Sequence, residues 1–258
     1  MARAGFPGDS AAYMRVYAIG DIHGRFDLLT RLYESIRRDL EESPPVVSLE
    51  IFLGDYIDRG PQSREVLEWL VASEPATGRR VCLMGNHEAM LLAALSDARC
   101  LADWLSNGGA QTLRSYGVPP PTSPAQSNGF QERADFIDAF PTAHRDFLES
   151  LHRAVEFGDY FFVHAGVSPS RPLHDQNRDD LIWIREPFLS SRADFGRIVV
   201  HGHTPVARPD IRPNRINIDT GAVFTGRLTC LVLEGAAMRV LSVDGSVTPP
   251  PGSLGSWI

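Results

Sequence analysis

Five short segments rich in glycine and in ligand-type side chains constrain the fold of this chain more than any other feature. Each follows an apolar, strand-like run and supplies aspartate, asparagine or histidine: GDIHG at 20–24, GDYIDRG at 54–60, GNHE at 85–88, VHAG at 163–166 and HGHT at 201–204. In open α/β sheets, ligands bind at the carboxyl ends of the strands. We therefore expect an α/β protein in which five strand ends converge on one site.

The order of strand and helix signals predicts a βαβαβ amino-terminal half. Three β-rich runs are each followed by a helix-like stretch, and the first stretch has apolar residues at helical spacing: Leu28, Leu29, Leu32, Ile36 and Leu40. The second half contains short strands with little helix between them, and EFGDYFF and LEGAAMRV are typical of hairpins. Successive βα units predict a sheet with helices on its faces.

The chain of 258 residues contains no linker or internal repeat, which favours a single domain over residues 14–245. Residues 1–13 are expected to form a disordered leader, and 246–258 an irregular tail. The segment GVPPPTSPAQSNG at 117–129 is rich in proline, serine and glycine, which predicts a long loop that gates access to the site.

Composition excludes several classes of protein. A net charge of −7 argues against binding to a nucleic-acid backbone, which requires a basic face. No apolar run approaches the roughly eighteen residues that a membrane helix needs, so no membrane partner is expected. The three cysteines share no close spacing, which fits a reducing compartment better than a disulfide framework. These features predict a cytoplasmic protein.

The five segments together indicate a metal centre, although a single Gly-Asp pair or strand-end histidine is more often structural. Asp21 and His23 lie two residues apart, so they would project to the same side of an extended strand end. Oxygen ligands mixed with imidazole, without cysteine, suit Mn²⁺, Fe or Zn²⁺. Six or seven candidate ligands are too many for one catalytic ion. They suit two divalent ions about 3.5–4 Å apart that share a carboxylate.

The ordered motifs GDIHG, GDYIDRG, GNHE, HAG and GHT resemble those of the phosphoprotein phosphatase family of calcineurin-like metallophosphoesterases. The resemblance covers residues 15 to about 235 and is strongest to the bacterial and phage-like serine/threonine phosphatases. It implies the calcineurin-like fold, a central β-sandwich flanked by helices. It also implies a hydrolase in which a water activated by two metal ions attacks a phosphoester.

Carried over by position, the resemblance implies roles for six metal ligands. Asp21 and His23 would bind the first ion, and Asp55 would bridge both ions. The second ion would be bound by Asn86, His164 and His203. His201, the first histidine of HGHT, does not match a ligand of the family and is expected either to support the ligands from behind or to be structural.

The resemblance also implies the residues that act on the substrate. His87 would be the general acid, and Asp58 would orient its imidazole. Arg59 and Arg185 would bind the phosphate together with Asn86. Glu88 would support the loop or cap the following helix. Asn107, in WLSNGG, matches a segment of the bacterial members but receives no role.

Phosphorylated proteins or small phosphoesters are the expected substrates, and a diadenosine tetraphosphate hydrolase is the nearest alternative. The symmetrical hydrolases of that class typically have VARG, GNHD and GHW where this chain has IDRG, GNHE and GHTP. The sequence departs from the eukaryotic phosphatases as well, since Met84 replaces an arginine and HAG replaces HGG. A catalytically inactive phosphopeptide-binding scaffold and a nuclease are weaker alternatives, because every expected ligand position is filled and the chain is acidic.

Overall fold

A computed structural model describes residues 14–121 and 130–246, and within them ten strands form two mixed sheets. The first sheet has the order β10-β9-β1-β2-β3, in which β1, β2 and β3 run parallel. Its strands are β1 (Met14–Ile19), β2 (Val47–Phe52), β3 (Arg80–Cys82), β9 (Arg227–Glu234) and β10 (Ala237–Asp244). The predicted parallel amino-terminal half is thus extended by an antiparallel hairpin.

The second sheet has the order β4-β5-β6-β8-β7, with β5, β6 and β8 parallel. Its strands are β4 (Ala154–Phe157), β5 (Tyr160–Val163), β6 (Ile198–His201), β7 (Asp210–Ile211) and β8 (Arg215–Asn217). Both predicted hairpins are confirmed, β4 with β5 and β9 with β10.

The two sheets pack face to face and form a β-sandwich, as the resemblance implies. Alternate residues of both sheets point inward, and the inner layer includes Val16, Ile51, Phe162, Val200 and Leu231. The intervening residues of β1 point outward and join a second core with the helices. This alternation is the period of two that a sheet buried on both faces requires.

Helices cover the outer faces of the sandwich. They are α1 (Phe26–Glu42), α2 (Ser63–Ala72), α3 (Asn86–Ser96), α4 (Leu101–Trp104), α5 (Ala110–Ser115), α6 (Phe130–Ala139), α7 (Thr142–Glu149), α8 (Asp180–Trp183) and α9 (Ala222–Thr225). Four of the five apolar residues predicted for the first helix are buried, and Leu40 is partly buried. A π-helical turn, Leu105–Gly109, joins α4 to α5.

Strand register brings the predicted segments to one end of the sandwich. Ile19 pairs with Phe52, and Phe52 pairs with Cys82, so three strands of the first sheet end at the same level. In the second sheet, Phe162 pairs with Val200 in the same way. The five glycine-containing segments follow these strand ends and therefore lie together.

Several expectations fall outside the described residues. The predicted leader at 1–13 does so entirely, as do most of the 117–129 loop and of the 246–258 tail. Among the helices of residues 14–121 and 130–246, none is long and apolar enough to cross a membrane.

One geometric expectation was wrong. Strand β1 ends at Ile19, so Asp21 and His23 lie beyond the strand, and His23 is in a turn. His23 has a φ of 47°, which is a left-handed conformation. A turn, not strand alternation, therefore directs these two side chains into the site.

Candidate metal centre and acid pair

Two clusters of buried ligand-type side chains share Asp55. His23, Asp55 and His87 form the first cluster, and Asp55, His164 and His203 form the second. In each cluster the nitrogen and carboxylate oxygen atoms lie within 4.8 Å of one another. The central position of Asp55 is the position expected of a bridging carboxylate.

The contacts of His164 indicate that a cation belongs in the second cluster. Its Nδ1 lies 3.0 Å from the carbonyl oxygen of Leu53, so this nitrogen must carry the proton and donate it. The Nε2 lone pair of the neutral ring then faces Asn86 Oδ1 at 3.0 Å and Asp55 Oδ1 at 3.4 Å. Three electron-rich atoms face one another, which is favourable when a metal ion lies among them.

Two histidines of the second cluster contact the same side-chain oxygen of Asn86. His203 Nδ1 lies 2.9 Å from Asn86 Oδ1, on the same oxygen that His164 approaches. His23 repeats the arrangement in the first cluster, since its Nδ1 donates to the Ile57 carbonyl and its Nε2 lies 3.4 Å from Asp55 Oδ2. The donor set therefore fits two divalent ions.

Asp21 lies outside both clusters but contacts the second. Its Oδ2 accepts a hydrogen bond from the His203 backbone N–H at 3.0 Å, while its Oδ1 is buried without a hydrogen-bond partner. Burial, followed by the charges of Asp219 and Asp55, raises the pKa of Asp21. A buried carboxylate oxygen in this state is readily stabilised by a bound cation.

His87 differs from the other histidines because its Nδ1 is occupied by a carboxylate. Nδ1 lies 2.7 Å from Asp58 Oδ2, and both side chains are buried. Its other nitrogen, Nε2, is 3.9 Å from Asp55 Oδ2 and faces the clusters. The geometry is that of an imidazole oriented by a carboxylate next to the reacting position.

Electrostatics separate His87 from the neighbouring imidazoles. Burial lowers the pKa of His23 and of His164, and lowers the pKa of His203 to about 3, so these rings are neutral. Burial also opposes the charge of His87, but Asp55 and Asp58 outweigh it and raise its pKa. A neutral ring can bind a metal ion, whereas a ring with a raised pKa can hold a proton.

The two predicted phosphate-binding arginines occupy different environments. Arg59 is partly buried, and its Nη1 donates to His23 Nε2 at 3.0 Å while its guanidinium lies over the Phe224 ring. Arg185 is exposed just after α8, and its charge contributes to the lowered pKa of His203. The structure thus brings Arg59 into the cluster and leaves Arg185 at its edge.

The site contains an unusual concentration of backbone strain. Among the described residues, five non-glycine residues have positive φ: His23, Asp55, Asp58, Arg59 and His203. All five are site residues predicted from the sequence. Such conformations are uncommon for residues with a Cβ and persist where the surrounding structure enforces them.

Glu88 joins two of the predicted segments, as the sequence suggested. Its carboxylate accepts hydrogen bonds from the backbone N–H groups of Asp55, Tyr56 and Gly85, at 2.8–3.0 Å. The bond from Gly85 also caps the start of α3. A single buried side chain therefore fixes the distance between the GDYIDRG and GNHE loops.

Sequence reasoning missed Asp219. It is buried, and burial with the charge of Asp55 raises its pKa to about 7, although the Gly221 N–H opposes the shift. Its position was detectable, because NIDTG follows strand β8 just as the five recognised segments follow their strands. His201 is buried against Phe188, and Asn107, which received no role from the sequence, is exposed and donates to the Asp103 carbonyl.

Comparison with known families agrees with this geometry. A family model described as calcineurin-like phosphoesterase matches residues 14–226. Serine/threonine-protein phosphatase 1 of Salmonella typhimurium is 31% identical over 224 residues, which cover 84% of this chain and 91% of that protein. The asymmetrical bis(5′-nucleosyl)-tetraphosphatase PrpE of Bacillus velezensis is 29% identical over 229 residues, which cover 82% and 86%.

Solved structures support the fold. The cold-active protein-tyrosine phosphatase of a psychrophilic Shewanella species superposes with a TM-score of 0.54 and 18% identity, covering 90% of this chain and 82% of that one. At this level of identity the similarity concerns the fold alone.

Proposed function

The chain belongs to the calcineurin-like phosphoesterase family, and on that premise we propose that it hydrolyses phosphoserine and phosphothreonine monoesters in proteins. The broader activity, metal-dependent phosphoester hydrolysis, follows from the family and from the paired clusters around Asp55. The finer assignment depends on the leaving group that the site can protonate.

The observation that carries the proposal is the buried contact between His87 and Asp58, at 2.7 Å. A serine or threonine alkoxide is a poor leaving group, so its departure requires a proton in the transition state. Asp55 and Asp58 raise the pKa of His87, which keeps a proton available near neutral pH. A phosphoanhydride has a better leaving group and does not need such an acid.

The metal ligands in this proposal are the six that the sequence implied: Asp21, His23, Asp55, Asn86, His164 and His203. Two bound divalent ions supply Lewis acidity and lower the pKa of a coordinated water. Mn²⁺ is the ion we favour, with Fe and Zn²⁺ as alternatives, because the donor set combines carboxylate, amide and imidazole without thiolate.

Positive charge at the phosphate comes from Arg59 and Arg185 in this proposal. The Arg59 guanidinium lies over Phe224, and its Nη1–H, which contacts His23 Nε2, would be released toward a phosphate once an ion took that lone pair. Arg185 is exposed at the edge of the site, two residues after α8, and its charge acts on His203. Two guanidinium groups suit the equatorial oxygens of a transferring phosphoryl group.

A nucleotide substrate is the second candidate, and one observation favours it. Trp183 is 44% exposed, and its ring centroid lies 6.1 Å from that of His203. An exposed indole beside a phosphate site can stack on a nucleobase. Among similar proteins, PrpE is a bis(5′-nucleosyl)-tetraphosphatase.

A side-by-side kinetic comparison tests the proposal. Purified protein with Mn²⁺ is expected to hydrolyse p-nitrophenyl phosphate and phosphoserine peptides, and chelation is expected to abolish both activities. A kcat/KM for diadenosine tetraphosphate far above that for every phosphopeptide contradicts the protein-phosphatase assignment. Trp183→Ala distinguishes the two candidates further, since a stacking role predicts a raised KM for the dinucleotide alone.

A further inference from the structure

The carboxylate of Asp58 is held by a second segment that lies far away in the sequence. Trp104 Nε1 donates to both of its oxygens, at 3.1 Å to Oδ1 and 2.9 Å to Oδ2. Thr112 Oγ1 donates to Oδ1 at 2.6 Å. Asp58, Trp104 and Thr112 are all completely buried. Together with His87, these donors fix both oxygens and therefore the plane of the carboxylate.

A chain of two hydroxyl groups completes the arrangement. The Asp58 backbone N–H lies 3.0 Å from both Ser63 Oγ and Thr112 Oγ1, and the two hydroxyl oxygens are 3.0 Å apart. Because Thr112 has one hydroxyl proton and gives it to Asp58, Ser63 must donate to Thr112. Every proton then has an acceptor, and the direction of each hydrogen bond is determined.

The conformation of the turn between Trp104 and Thr112 brings both donors to Asp58. Gly108 has a φ of 109°, and its carbonyl accepts the Arg59 N–H at 3.1 Å. A Cβ on Gly108 would lie 2.7 Å from the Arg59 side chain, and one on Gly109 would lie 2.5 Å from the Trp104 indole. The two glycines therefore let the turn pack directly against both Arg59 and Trp104.

We propose that Trp104 and Thr112 are positioning residues that hold Asp58 in the orientation His87 needs for proton transfer. This inference rests on the proposed general-acid role of His87. Neither side chain is exposed to a substrate, since both are completely buried and their polar groups are directed at Asp58. Their effect is therefore specific to substrates whose leaving group must be protonated.

The physical reason lies in the freedom of a carboxylate to rotate. An aspartate with a single partner can turn about its terminal torsion, which is broad and shallow. Donors at Oδ1 prevent that rotation and keep Oδ2 directed at His87 Nδ1. Without them the imidazole is oriented less well, and proton transfer to the leaving oxygen slows.

Thr112→Val tests the inference, because valine has the same shape and lacks the hydroxyl. We expect kcat for a phosphoserine peptide to fall about 10- to 100-fold, the range typical when a metal-bound imidazole loses its outer hydrogen-bond partner. For p-nitrophenyl phosphate, whose leaving group departs without a proton, we expect a much smaller fall. KM should be unchanged for both substrates, and Thr112→Ser should restore the ratio of the two kcat values.

The ratio of the two kcat values is independent of the folded fraction, because both assays use one preparation. Thr229→Val is the matched control, since Thr229 is equally buried and hydrogen-bonded but lies in strand β9. It should keep the wild-type ratio even if it unfolds more easily. Trp104→Phe keeps a six-membered ring but removes the indole N–H donor. It should shift the ratio of the two kcat values in the same direction as Thr112→Val.

A double variant separates positioning from general structural damage. In a His87→Asn background, adding Thr112→Val should cause no further fall on phosphoserine, because the two residues act as one unit. An unchanged ratio in both single variants, or an additive loss in the double variant, overturns the inference. Wild-type protein that hydrolyses neither substrate with Mn²⁺ would instead refute the proposed function, so the two failures are distinguishable.

Discussion

His87 is the residue whose substitution distinguishes most sharply between an acid and a metal ligand. Its Nδ1 is bonded to Asp58 at 2.7 Å, but its Nε2 belongs to the same cluster of potential ligand atoms as His23 and Asp55. Asparagine at this position is too short to bridge from Asp58 to the substrate. His87→Asn therefore removes proton donation while leaving the six proposed ligands unaltered.

The expected magnitude follows from that geometry. Asp58 retains its bonds to Trp104 and Thr112, so the local structure keeps most of its support. What is lost is general acid catalysis, which contributes roughly 10²–10⁴-fold. At about 1.36 kcal/mol per tenfold change in rate, the barrier for phosphoserine hydrolysis rises by about 2.7–5.4 kcal/mol. The barrier for p-nitrophenyl phosphate should rise far less.

The assay combines kinetics with metal analysis. We expect kcat for a phosphoserine peptide to fall by the amount above and the bound-metal content, measured by plasma mass spectrometry, to equal that of the wild type. His174→Asn serves as the control, because His174 is exposed and lies outside the site. Loss of one metal equivalent from His87→Asn would refute the reasoning and make His87 a ligand.

Two further predictions concern stability. Glu88→Ala leaves three buried backbone N–H groups without an acceptor, so urea denaturation should show a loss of about 3 kcal/mol or more, while exposed Glu149→Ala should change little. Burial lowers the pKa of His144, whose Nδ1 accepts the Tyr116 hydroxyl proton. Neutral His144 therefore stabilises the folded state fully above about pH 6.5, and this stabilisation declines as the pH falls and the ring is protonated. In His144→Gln, the free energy of unfolding should change less between pH 7 and 5 than in the wild type. An identical slope against pH in both proteins would contradict this prediction.

The parallel amino-terminal strands and the convergence of the five segments were predictable because local pattern and strand-end geometry determine them, whereas the β-sandwich was implied by the resemblance. Each segment joins a glycine to a polar residue directly after an apolar strand, and parallel strands end at one edge. Asp219 obeys the same rule and was predictable in principle. It was missed because NIDTG is not one of the five motifs that carry the resemblance.

Trp104 and Thr112 could not be predicted in the same way. They belong to a helical segment more than forty residues after Asp58, and only the tertiary packing of the π-helical turn brings them to its carboxylate. The conformation of Asp21 and His23 was also beyond local reasoning, because the turn that holds them depends on hydrogen bonds from His23 and Ile22 to the Asp55 carbonyl. Contacts between loops, unlike those made by strands, leave no periodic pattern in the sequence.

The five left-handed residues of the site bear on any attempt to make this protein more robust. Glycine adopts positive φ at no steric cost, whereas each strained residue costs on the order of 1–3 kcal/mol. A library selected only for heat resistance should therefore enrich glycine at His23, Asp55, Arg59 and His203, whereas Asp58 should be retained because its carboxylate accepts hydrogen bonds from buried donors. The survivors of such a selection would be durable proteins without an active centre, so stability screening of this fold has to be coupled to a test of turnover.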